Sequence, residues 1–337
     1  MRPHHDVAEA PGRTRRVLHD RFRANVDARS NAGPIACAFG RNPQVATLGG
    51  LDHHVPAVDR IHQPKPPSGQ VVVHAEVIDQ GQVIATGYGP PDSDLVISIS
   101  NPRLWSPSNP YLYDLRVRLI RGGRYIDTVG SYFGMRKIEV SSVEGVSRLK
   151  INGKTLFQMG VLDQGYWPDG IYTAPTDQAL KYDIEVTKWL GYNLIRKHMK
   201  VEPDRWYYWA DRLGILVWQD MPMGNNWSEW GQEHYRDELG RKVRQLHYHP
   251  SVIMWVLFNE RWGEFDVASV TAGVKSLDPT RLVIGATGYA DEGVGDAISF
   301  HSYNRVEVPE VGTGGARVDG QFATLALLWP LMSPGSK

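Results

Sequence analysis

Residues 71–140 contain short runs of β-branched and aromatic residues, several of which alternate with polar positions. The runs are VVVHAEVID, QVIATGYG, LVISIS and YLYDLRVRLI, and turn-forming Gly, Pro, Asp or Asn residues separate them. A period of two is typical of a strand with one buried face, and turns roughly every ten residues are typical of an antiparallel sandwich. The exit strand is predicted in SYFGMRKIEV, ending near Val140. We therefore predict a small immunoglobulin-like β-sandwich over residues 66–140.

After residue 150 apolar runs alternate with amphipathic stretches. Strands are predicted in KTLFQMGVL, YNLIRKH, ILVWQD, SVIMWVLFNE, RLVIGATG, AISFHSY and ARVDGQF. Helices are predicted between them at residues 176–190, 203–213, 233–247 and 267–276. Thr176 is predicted to cap the first of these helices and Gly214 to end the second. Six or seven βα units in a row favour a parallel sheet with helical crossovers. The predicted fold of residues 141–337 is therefore α/β, a (β/α)8-type (TIM) barrel.

The first 65 residues show no sustained period of either kind and are rich in Arg, His, Ala, Pro and Gly. Residues 1–65 are predicted to be a poorly ordered segment or the remnant of a domain. Their start has no apolar core of the kind that a secretory signal needs, and no apolar run approaches the ~20 residues of a membrane span. The sequence therefore predicts a cytoplasmic protein without a membrane partner.

Composition narrows the choice of partners. The 337 residues are 42% hydrophobic and 22% charged, and 37 basic residues balance 37 acidic residues. A neutral balance gives no reason to expect nucleic acid as a partner. Cys37 is the single cysteine, so no intrachain disulfide is possible. His and carboxylate pairs lack metal-ligand spacing, so a bound metal is not expected.

Polar and aromatic residues recur at the ends of the predicted barrel strands. A barrel builds its active site at the carboxyl ends of its strands. Any one of these residues alone is more simply explained as a solvated strand end, but their recurrence favours a site. They are Asp163, Gln164, Arg196, Lys197, His198, Trp218, Gln219, Asp220, Asn259, Glu260, Thr287, His301, Ser302, Tyr303 and Gln321.

Tryptophan is unevenly distributed, since every one except Trp105 lies at or after Trp167. This concentration fits a large aromatic core. It fits equally a pocket for sugars, whose C–H faces stack on aromatic rings.

Residues 255–260, WVLFNE, form an apolar strand that delivers Asn-Glu at its end. Together with the tract GMRKIEV…INGKTLFQMGVLDQGYWPDG, this motif resembles glycoside hydrolase family 2, over about residues 70–305. That family includes β-galactosidases, β-glucuronidases and β-mannosidases. The resemblance implies a retaining exo-glycosidase that hydrolyses terminal β-linked sugars without a cofactor, with β-galactosidase-like activity favoured and a carbohydrate as its substrate.

The resemblance also implies residue roles. Glu260 is expected to be the acid/base, and Asn259 to donate a hydrogen bond to the sugar 2-hydroxyl. Arg196 is expected to orient the catalytic nucleophile, with Tyr303 nearby. The remaining pocket residues expected from the resemblance are Asp163, His198, Trp218, Asp220 and His301. Lys197, Lys200 and Arg205 offer a possible cationic clamp for the carboxylate of a glucuronide.

The sequence departs from the family pattern where the nucleophile is expected. The family has Glu at the end of the seventh strand, whereas this sequence places Gln321 there, and an amide is a far weaker nucleophile. Glu307, Glu310 and Asp319 are nearby acids that could substitute. The chain stops at Lys337, which predicts an incomplete barrel, and the family's N-terminal jelly roll is missing. The alternative prediction is a degenerate, catalytically impaired carbohydrate-binding homologue.

Overall fold

A computed structural model describes residues 24–27, 35–39, 70–91, 94–143, 146–224, 226–288, 292–299 and 301. The chain divides into two compact units, with a boundary between Phe133 and Gly134. The segment Pro102–Leu112 belongs to the second unit. Within the described part, no helix is long and apolar enough to cross a membrane.

Among the described residues, seven strands precede the boundary and form two sheets. One sheet has the order β4-β3-β6-β7 and the other β1-β2-β5. The strands are β1 Ala24–Asp27, β2 Ile35–Phe39, β3 Val71–Asp79, β4 Gln82–Gly89, β5 Leu95–Ile99, β6 Tyr113–Arg121 and β7 Arg124–Phe133.

The alternation in LVISI explains how the two sheets of the first unit pack. Leu95, Ile97 and Ile99 are buried, while the residues between them are exposed. A Cβ at Gly87 of β4 would lie 2.8 Å from Ile97 Cγ1, so the glycine permits close packing of one sheet on the other. Paired antiparallel sheets with one shared apolar layer form a sandwich.

Two boundaries differ from the sequence prediction. Strands β1 and β2 lie within residues 1–65, and β2 pairs with β5 from Ile35↔Ile99 to Phe39↔Leu95. The partner strand supplies these hydrogen bonds from far along the chain, so local periodicity gave no signal. The rest of residues 1–65 lies outside the described residues, and the prediction for it stays a prediction. The predicted exit strand is divided, because β7 ends at Phe133 and the next strand begins at Ile138.

The second unit contains a small antiparallel sheet and a larger parallel one. The small sheet has the order β10-β9-β8, and the parallel sheet has the order β11-β12-β13-β14-β15. The strands are β8 Ile138–Val143, β9 Val146–Ile151, β10 Lys154–Thr155, β11 Gly160–Asp163, β12 Leu194–Lys197, β13 Leu216–Asp220, β14 Val252–Asn259 and β15 Leu282–Thr287. The helices are α1 Asp177–Trp189, α2 Asp204–Leu213, α3 Glu229–Leu246 and α4 Val267–Leu277.

Local capping explains the helix bounds. The Thr176 side chain accepts a hydrogen bond from Ala179 N at 3.0 Å and begins α1, as predicted. Gly214, with φ of 74°, ends α2 in the left-handed conformation, also as predicted. Helix α3 begins four residues before the predicted position, because Ser228 caps it through Gly231 N. In the described part of AISFHSY, the structure assigns no strand to residues 297–299, so that predicted strand is wrong there.

Strands β12 to β15 of the parallel sheet are buried on both faces, whereas β11 is partly exposed. One face packs in an inner cluster around Leu194, Leu216 and Met254, which also takes in Trp105. The other face packs against the helices through Ile195, Val217, Trp255 and Val283. Two buried faces explain why these strands read as continuous apolar runs without alternation. All polar chemistry on them is therefore confined to the strand ends.

A buried ion pair fixes the start of β15 against β14. Arg281 pairs with Asp278 at 3.0 Å, and it also donates to the carbonyl oxygens of Val252 and His249. Trp255 Nε1 donates to the same Asp278 carboxylate at 3.0 Å. Burial opposes ionisation of Asp278, but Arg281 and the hydrogen-bond donors around the carboxylate together outweigh it, so the pKa of Asp278 lies below its usual value.

We expect Arg281→Ala to destabilise the protein by about 3–5 kcal/mol, because it leaves the Asp278 charge buried without its partner. Urea unfolding at neutral pH measures the loss. Arg241→Ala is the matched control, since Arg241 pairs with Asp237 on the exposed face of α3, and its loss should be about 0.5 kcal/mol. Equal losses in the two variants would show that the buried pair contributes no more than an exposed one.

Candidate active site

The guanidinium of Arg196 is the centre of a polar network at the carboxyl ends of the parallel strands. Arg196 is buried at the end of β12. Its Nη2 donates to Asp220 Oδ2 at 2.8 Å, to Asn259 Oδ1 at 2.9 Å and to Thr287 Oγ1 at 3.0 Å. Its Nη1 lies 3.3 Å from His301 Nε2. One side chain therefore joins the ends of four neighbouring segments.

Asp220, at the end of β13, balances the Arg196 charge. Arg196 Nε lies 3.0 Å from Oδ1, and His198 Nδ1 lies 2.5 Å from Oδ2. Burial opposes ionisation of Asp220, but Arg196 and His198 outweigh it, so the pKa of Asp220 lies below its usual value. The carboxylate stays charged and fixes the His198 ring.

The orientation of the Asn259 amide follows from its neighbours. Its Oδ1 accepts from Arg196 and from the Thr287 hydroxyl, the latter at 2.6 Å. With Oδ1 engaged by two donors, the amide nitrogen is turned away from Arg196. Asn259 Nδ2 is thus available to donate a hydrogen bond to a ligand.

Glu260 follows β14 in a strained backbone conformation. Glu260 and Arg261 have φ of 53° and 64°, values that cost about 1–3 kcal/mol each for residues other than glycine. Glu260 N donates to Thr287 O at 2.8 Å, which fixes the turn to the end of β15. A Cβ at Gly288 would lie 2.9 Å from Glu260 Cγ and 3.3 Å from His301 Nδ1. Glycine at this position therefore makes room for the Glu260–His301 pair.

His301 connects Glu260 with Arg196. Its Nδ1 lies 2.5 Å from Glu260 Oε1, and its Nε2 faces the Arg196 guanidinium. A guanidinium has donors but no acceptor, so His301 Nε2 must accept and Nδ1 must carry the proton. Burial lowers the pKa of His301, and Arg196 and His198 add to that effect against the opposing hydrogen bond to Glu260. The neutral ring therefore donates Nδ1–H to Glu260.

Glu260 opens into a cleft of 540 Å³, which we call the Glu260 cleft. Polar groups and large apolar side chains share its lining, as in many sites for small polar ligands. Trp227 and Trp262 are 70% and 65% exposed. The lining consists of Gln164, His198, Met199, Met223, Gly224, Trp227, Asn259, Glu260 and Trp262.

No group of three or more His, Cys, Asp or Glu residues within the described ranges is arranged to hold a metal ion. The acids and histidines of the site are engaged with Arg196 or with each other. What the arrangement offers a ligand is a carboxyl group, an amide donor, an imidazole and aromatic faces. These groups suit proton transfer to or from a neutral polar molecule.

Two family models match the chain. Residues 59–136 match the model described as "Glycosyl hydrolases family 2", and residues 142–313 match "Glycosyl hydrolases family 2, TIM barrel domain". The chain belongs to glycosyl hydrolase family 2. The family predicted from the motif around Glu260 is confirmed.

Relatives from bacteria show the same family. A protein assigned as a β-glucuronidase in Formosa agariphila is 27% identical over 255 residues, and a β-galactosidase from Lactococcus lactis subsp. lactis is 30% identical over 249 residues. The aligned parts cover 69% and 70% of this chain but 24% of each relative. The chain thus spans about a quarter of the length of these curated relatives.

Solved structures show the same fold. An FMN-binding β-glucuronidase from Facaelibacterium prausnitzii L2-6 has a TM-score of 0.69 at 20% identity, covering 84% of this chain and 43% of that one. A β-glycosidase from Bacteroides vulgatus has a TM-score of 0.67 at 23% identity, covering 84% of this chain and 35% of that one. The predicted fold class, a TIM barrel preceded by a β-sandwich, is confirmed.

In this family 2 chain, the predicted site residues divide into groups. His198, Asn259 and Glu260 line the Glu260 cleft. Arg196, Asp220 and His301 lie behind them in the hydrogen-bonded network. Tyr303 and Gln321 lie outside the described residues, as do the alternative acids Glu307, Glu310 and Asp319, so the predictions for them stay predictions.

Two of the predicted pocket residues occupy other positions. Trp218 is 2% exposed in the inner cluster, where its Nε1 donates to Gln158 Oε1 at 2.8 Å. It packs there because its side chain follows the inward alternation of β13. Asp163 pairs with Lys197 and accepts from Gly165 N at 2.7 Å, so it stabilises the turn after β11.

The sequence prediction missed most of the apolar lining. Trp227, Trp262, Met199 and Met223 lie in loops after the strands, where no register fixes their direction. The excess of tryptophan gave a signal for a sugar pocket. It could not tell these exposed rings from buried ones such as Trp206 and Trp255.

We expect His301 to be neutral at pH 7 with its proton on Nδ1, because Arg196 offers only donors to Nε2. Long-range ¹H–¹⁵N spectra of protein labelled in histidine distinguish the protonated ring nitrogen from the acceptor nitrogen. The His301→Gln variant assigns the signal by its disappearance. A proton found on Nε2, or on both nitrogens, would contradict donation from His301 Nδ1 to Glu260.

Proposed function

We propose that this chain provides the acid/base half of a retaining β-glycosidase, with Glu260 as acid/base. The supporting observation is that Glu260 lies in the Glu260 cleft while His301 holds one of its carboxyl oxygens. Such an enzyme needs a carboxyl group that protonates the leaving oxygen as the glycosidic bond breaks. The β-galactosidase and β-glucuronidase among the relatives support the same class of reaction.

The direction of the His301 hydrogen bond assigns the two oxygens of Glu260. Oε1 accepts Nδ1–H and is therefore the less basic oxygen, so Oε2 carries the proton that is transferred. In the first step a carboxylate nucleophile bonds to the anomeric carbon while the bond from that carbon to the leaving oxygen breaks. The Oε2 proton passes to the leaving oxygen, Glu260 becomes a carboxylate, and the glycosyl group stays on the nucleophile until water attacks it. The Nδ1–H donor then stabilises the new charge. In the second step the carboxylate takes a proton back from the attacking water.

Asn259 is the proposed donor to the glycone. Its Nδ2 is turned away from Arg196, beside Glu260 on the wall of the cleft. A hydrogen bond to the sugar 2-hydroxyl strengthens in the transition state of glycosidases. Arg196 acts through Asn259, Asp220 and His301, since the charge that it carries is already satisfied by protein groups.

We infer that the glycone is a neutral sugar, as in a β-galactoside. The three cations considered for a uronate clamp are all engaged by carboxylates. Lys197 and Lys200 are buried and share Glu202, at 3.0 and 3.1 Å. Arg205 pairs with Asp177 at 2.8 Å. Freeing Lys197 or Lys200 to bind a substrate carboxylate would leave a buried protein charge unpaired. The Arg205 pair is exposed and lies outside the lining of the Glu260 cleft, so the cations favour a neutral sugar.

The first test compares the hydrolysis rates of the parent chain and its Glu260→Gln variant on chromogenic β-galactosides and β-glucuronides. The amide cannot supply the proton, so hydrolysis of substrates with poor leaving groups should fall by about 10²–10⁴-fold, whereas activated aryl glycosides lose less. Initial rates and the anomeric configuration of the product, followed by NMR, give the measurement. Glu238→Gln, on the exposed face of α3, is the matched control.

Equal rates for Glu260→Gln and the parent chain on both kinds of substrate would remove Glu260 from the mechanism. Faster turnover of the glucuronide would overturn the neutral glycone and leave the acid/base role intact.

The second candidate function is carbohydrate binding with little turnover, and Gln321 favours it. A retaining enzyme needs a carboxylate ~5–5.5 Å from the acid/base, and sequence places an amide at the nucleophile's position. We expect Gln321→Glu to raise the hydrolytic rate by several orders of magnitude, because loss of a nucleophile costs on the order of 7 kcal/mol. Chromogenic turnover measures the gain, and Gln321→Ala is the control.

If the parent chain is active and neither substitution at Gln321 changes its hydrolytic rate, the nucleophile is a different residue. Glu307, Glu310 and Asp319 are then the acids to replace in turn by their amides.

A further inference from the structure

We propose that Trp227 and Trp262 form a subsite for the leaving group, which we call the tryptophan subsite. It would take a ring with an apolar face, such as the pyranose that follows the scissile bond. This inference rests on the proposed function, since it assumes that Glu260 marks the point of cleavage. It adds a ligand class and two specificity-determining residues to that site.

Their position in the Glu260 cleft distinguishes Trp227 and Trp262 from the other exposed tryptophans. Trp189 and Trp230 are also exposed, at 83% and 70%, but they belong to helices α1 and α3. Trp227 and Trp262 line the Glu260 cleft itself. A large indole left in water at a concave site is a common mark of a binding surface, and its face stacks on the C–H groups of a sugar.

The position of Trp262 along the chain indicates which part of a substrate it contacts. It lies two residues after Glu260, on the loop that leaves the end of β14. Asn259, on the strand side of Glu260, is the proposed contact of the glycone. Since Asn259 is assigned to the glycone and Glu260 to the glycosidic oxygen, we assign the indoles of the same cleft to the group on the other side of that oxygen.

The turn that carries Trp262 is held in one conformation. Glu260, Arg261 and Gly263 all have positive φ. Trp262 N donates to Asn259 O at 3.0 Å, and Arg261 N donates to Glu264 Oε1 at 2.6 Å. A strained conformation that is fixed by several hydrogen bonds is typical of functional loops. The indole of Trp262 is therefore presented on a defined turn.

Asn226 joins this turn to the loop that carries Trp227. The Asn226 side chain is buried, and its Nδ2 donates to Gly263 O at 3.1 Å. A Cβ at Gly263 would lie 2.8 Å from Gly224 O and 3.0 Å from Asn226 Nδ2, so only glycine permits this approach. Trp227 directly follows Asn226 and Trp262 directly precedes Gly263, so both tryptophans adjoin this one contact. Because the two loops are already held together, less conformational entropy is lost when a ring binds between them.

The test measures the affinity of the Glu260→Gln protein, which prevents hydrolysis, for methyl, cyclohexyl and phenyl β-galactosides by calorimetry. We expect Trp227→Ala and Trp262→Ala each to weaken cyclohexyl and phenyl galactoside by about 3- to 10-fold, with methyl galactoside unchanged. Trp189→Ala and Trp230→Ala are the matched controls and should change none of the three. Asn226→Asp should weaken the two ring-bearing glycosides while both indoles remain, because Asp cannot donate to Gly263 O.

The outcomes separate the two proposals. Equal losses for methyl and ring-bearing glycosides would overturn the tryptophan subsite, since the indoles would then contact the glycone. Unchanged affinities in both tryptophan variants would overturn it as well. Failure of the Glu260→Gln protein to bind any of the three galactosides, although it is folded by circular dichroism, would overturn the neutral glycone of the proposed function, and the subsite with it.

Discussion

One buried positive charge organises the end of the barrel where the site lies. A guanidinium removed from water is tolerated when carboxylate and neutral acceptors satisfy its donors, and Arg196 finds them on β13, β14 and β15. Asp220 supplies the opposing charge, while Asn259 and Thr287 supply neutral oxygens. Because each acceptor comes from a different strand, satisfying Arg196 also fixes how these strand ends lie relative to one another.

The Arg196 charge also determines, through the direction of two hydrogen bonds, which group faces Glu260. Arg196 has no acceptor, so the ring of His301 has one possible neutral arrangement, and that arrangement aims a donor at Glu260 Oε1. The Asn259 amide is oriented by the same logic. Thus a single requirement, that a buried cation meet acceptors only, determines the direction of the His301 ring behind Glu260 and of the Asn259 amide on the wall of the cleft.

Strain and close approach concentrate around the same turn. The left-handed backbone at Glu260 and Arg261 is unfavourable in isolation, and hydrogen bonds from the ends of β14 and β15 hold it. Gly288 and Gly263 lack the Cβ that would collide with Glu260 or with the neighbouring loop. The turn therefore places a carboxyl group and an indole within one cleft. Its backbone strain is offset by the hydrogen bonds from the strand ends.

The sequence by itself determined the order of strands and helices from β11 to β15, because strands with two buried faces consist of continuous apolar runs and Thr176 and Gly214 mark helix ends. It also placed Glu260 at the end of a strand, where the structure finds it on the wall of the cleft, since an apolar run that ends in Asn-Glu is a local signal. Tertiary structure decided the rest. Strand β2 exists through its pairing with β5, Trp218 is core because β13 turns it inward, and the roles of His301 and Arg196 depend on hydrogen bonds between residues far apart in the chain. Local patterns record which face of an element is apolar, whereas the direction of a hydrogen bond is set by whichever group the fold brings opposite it.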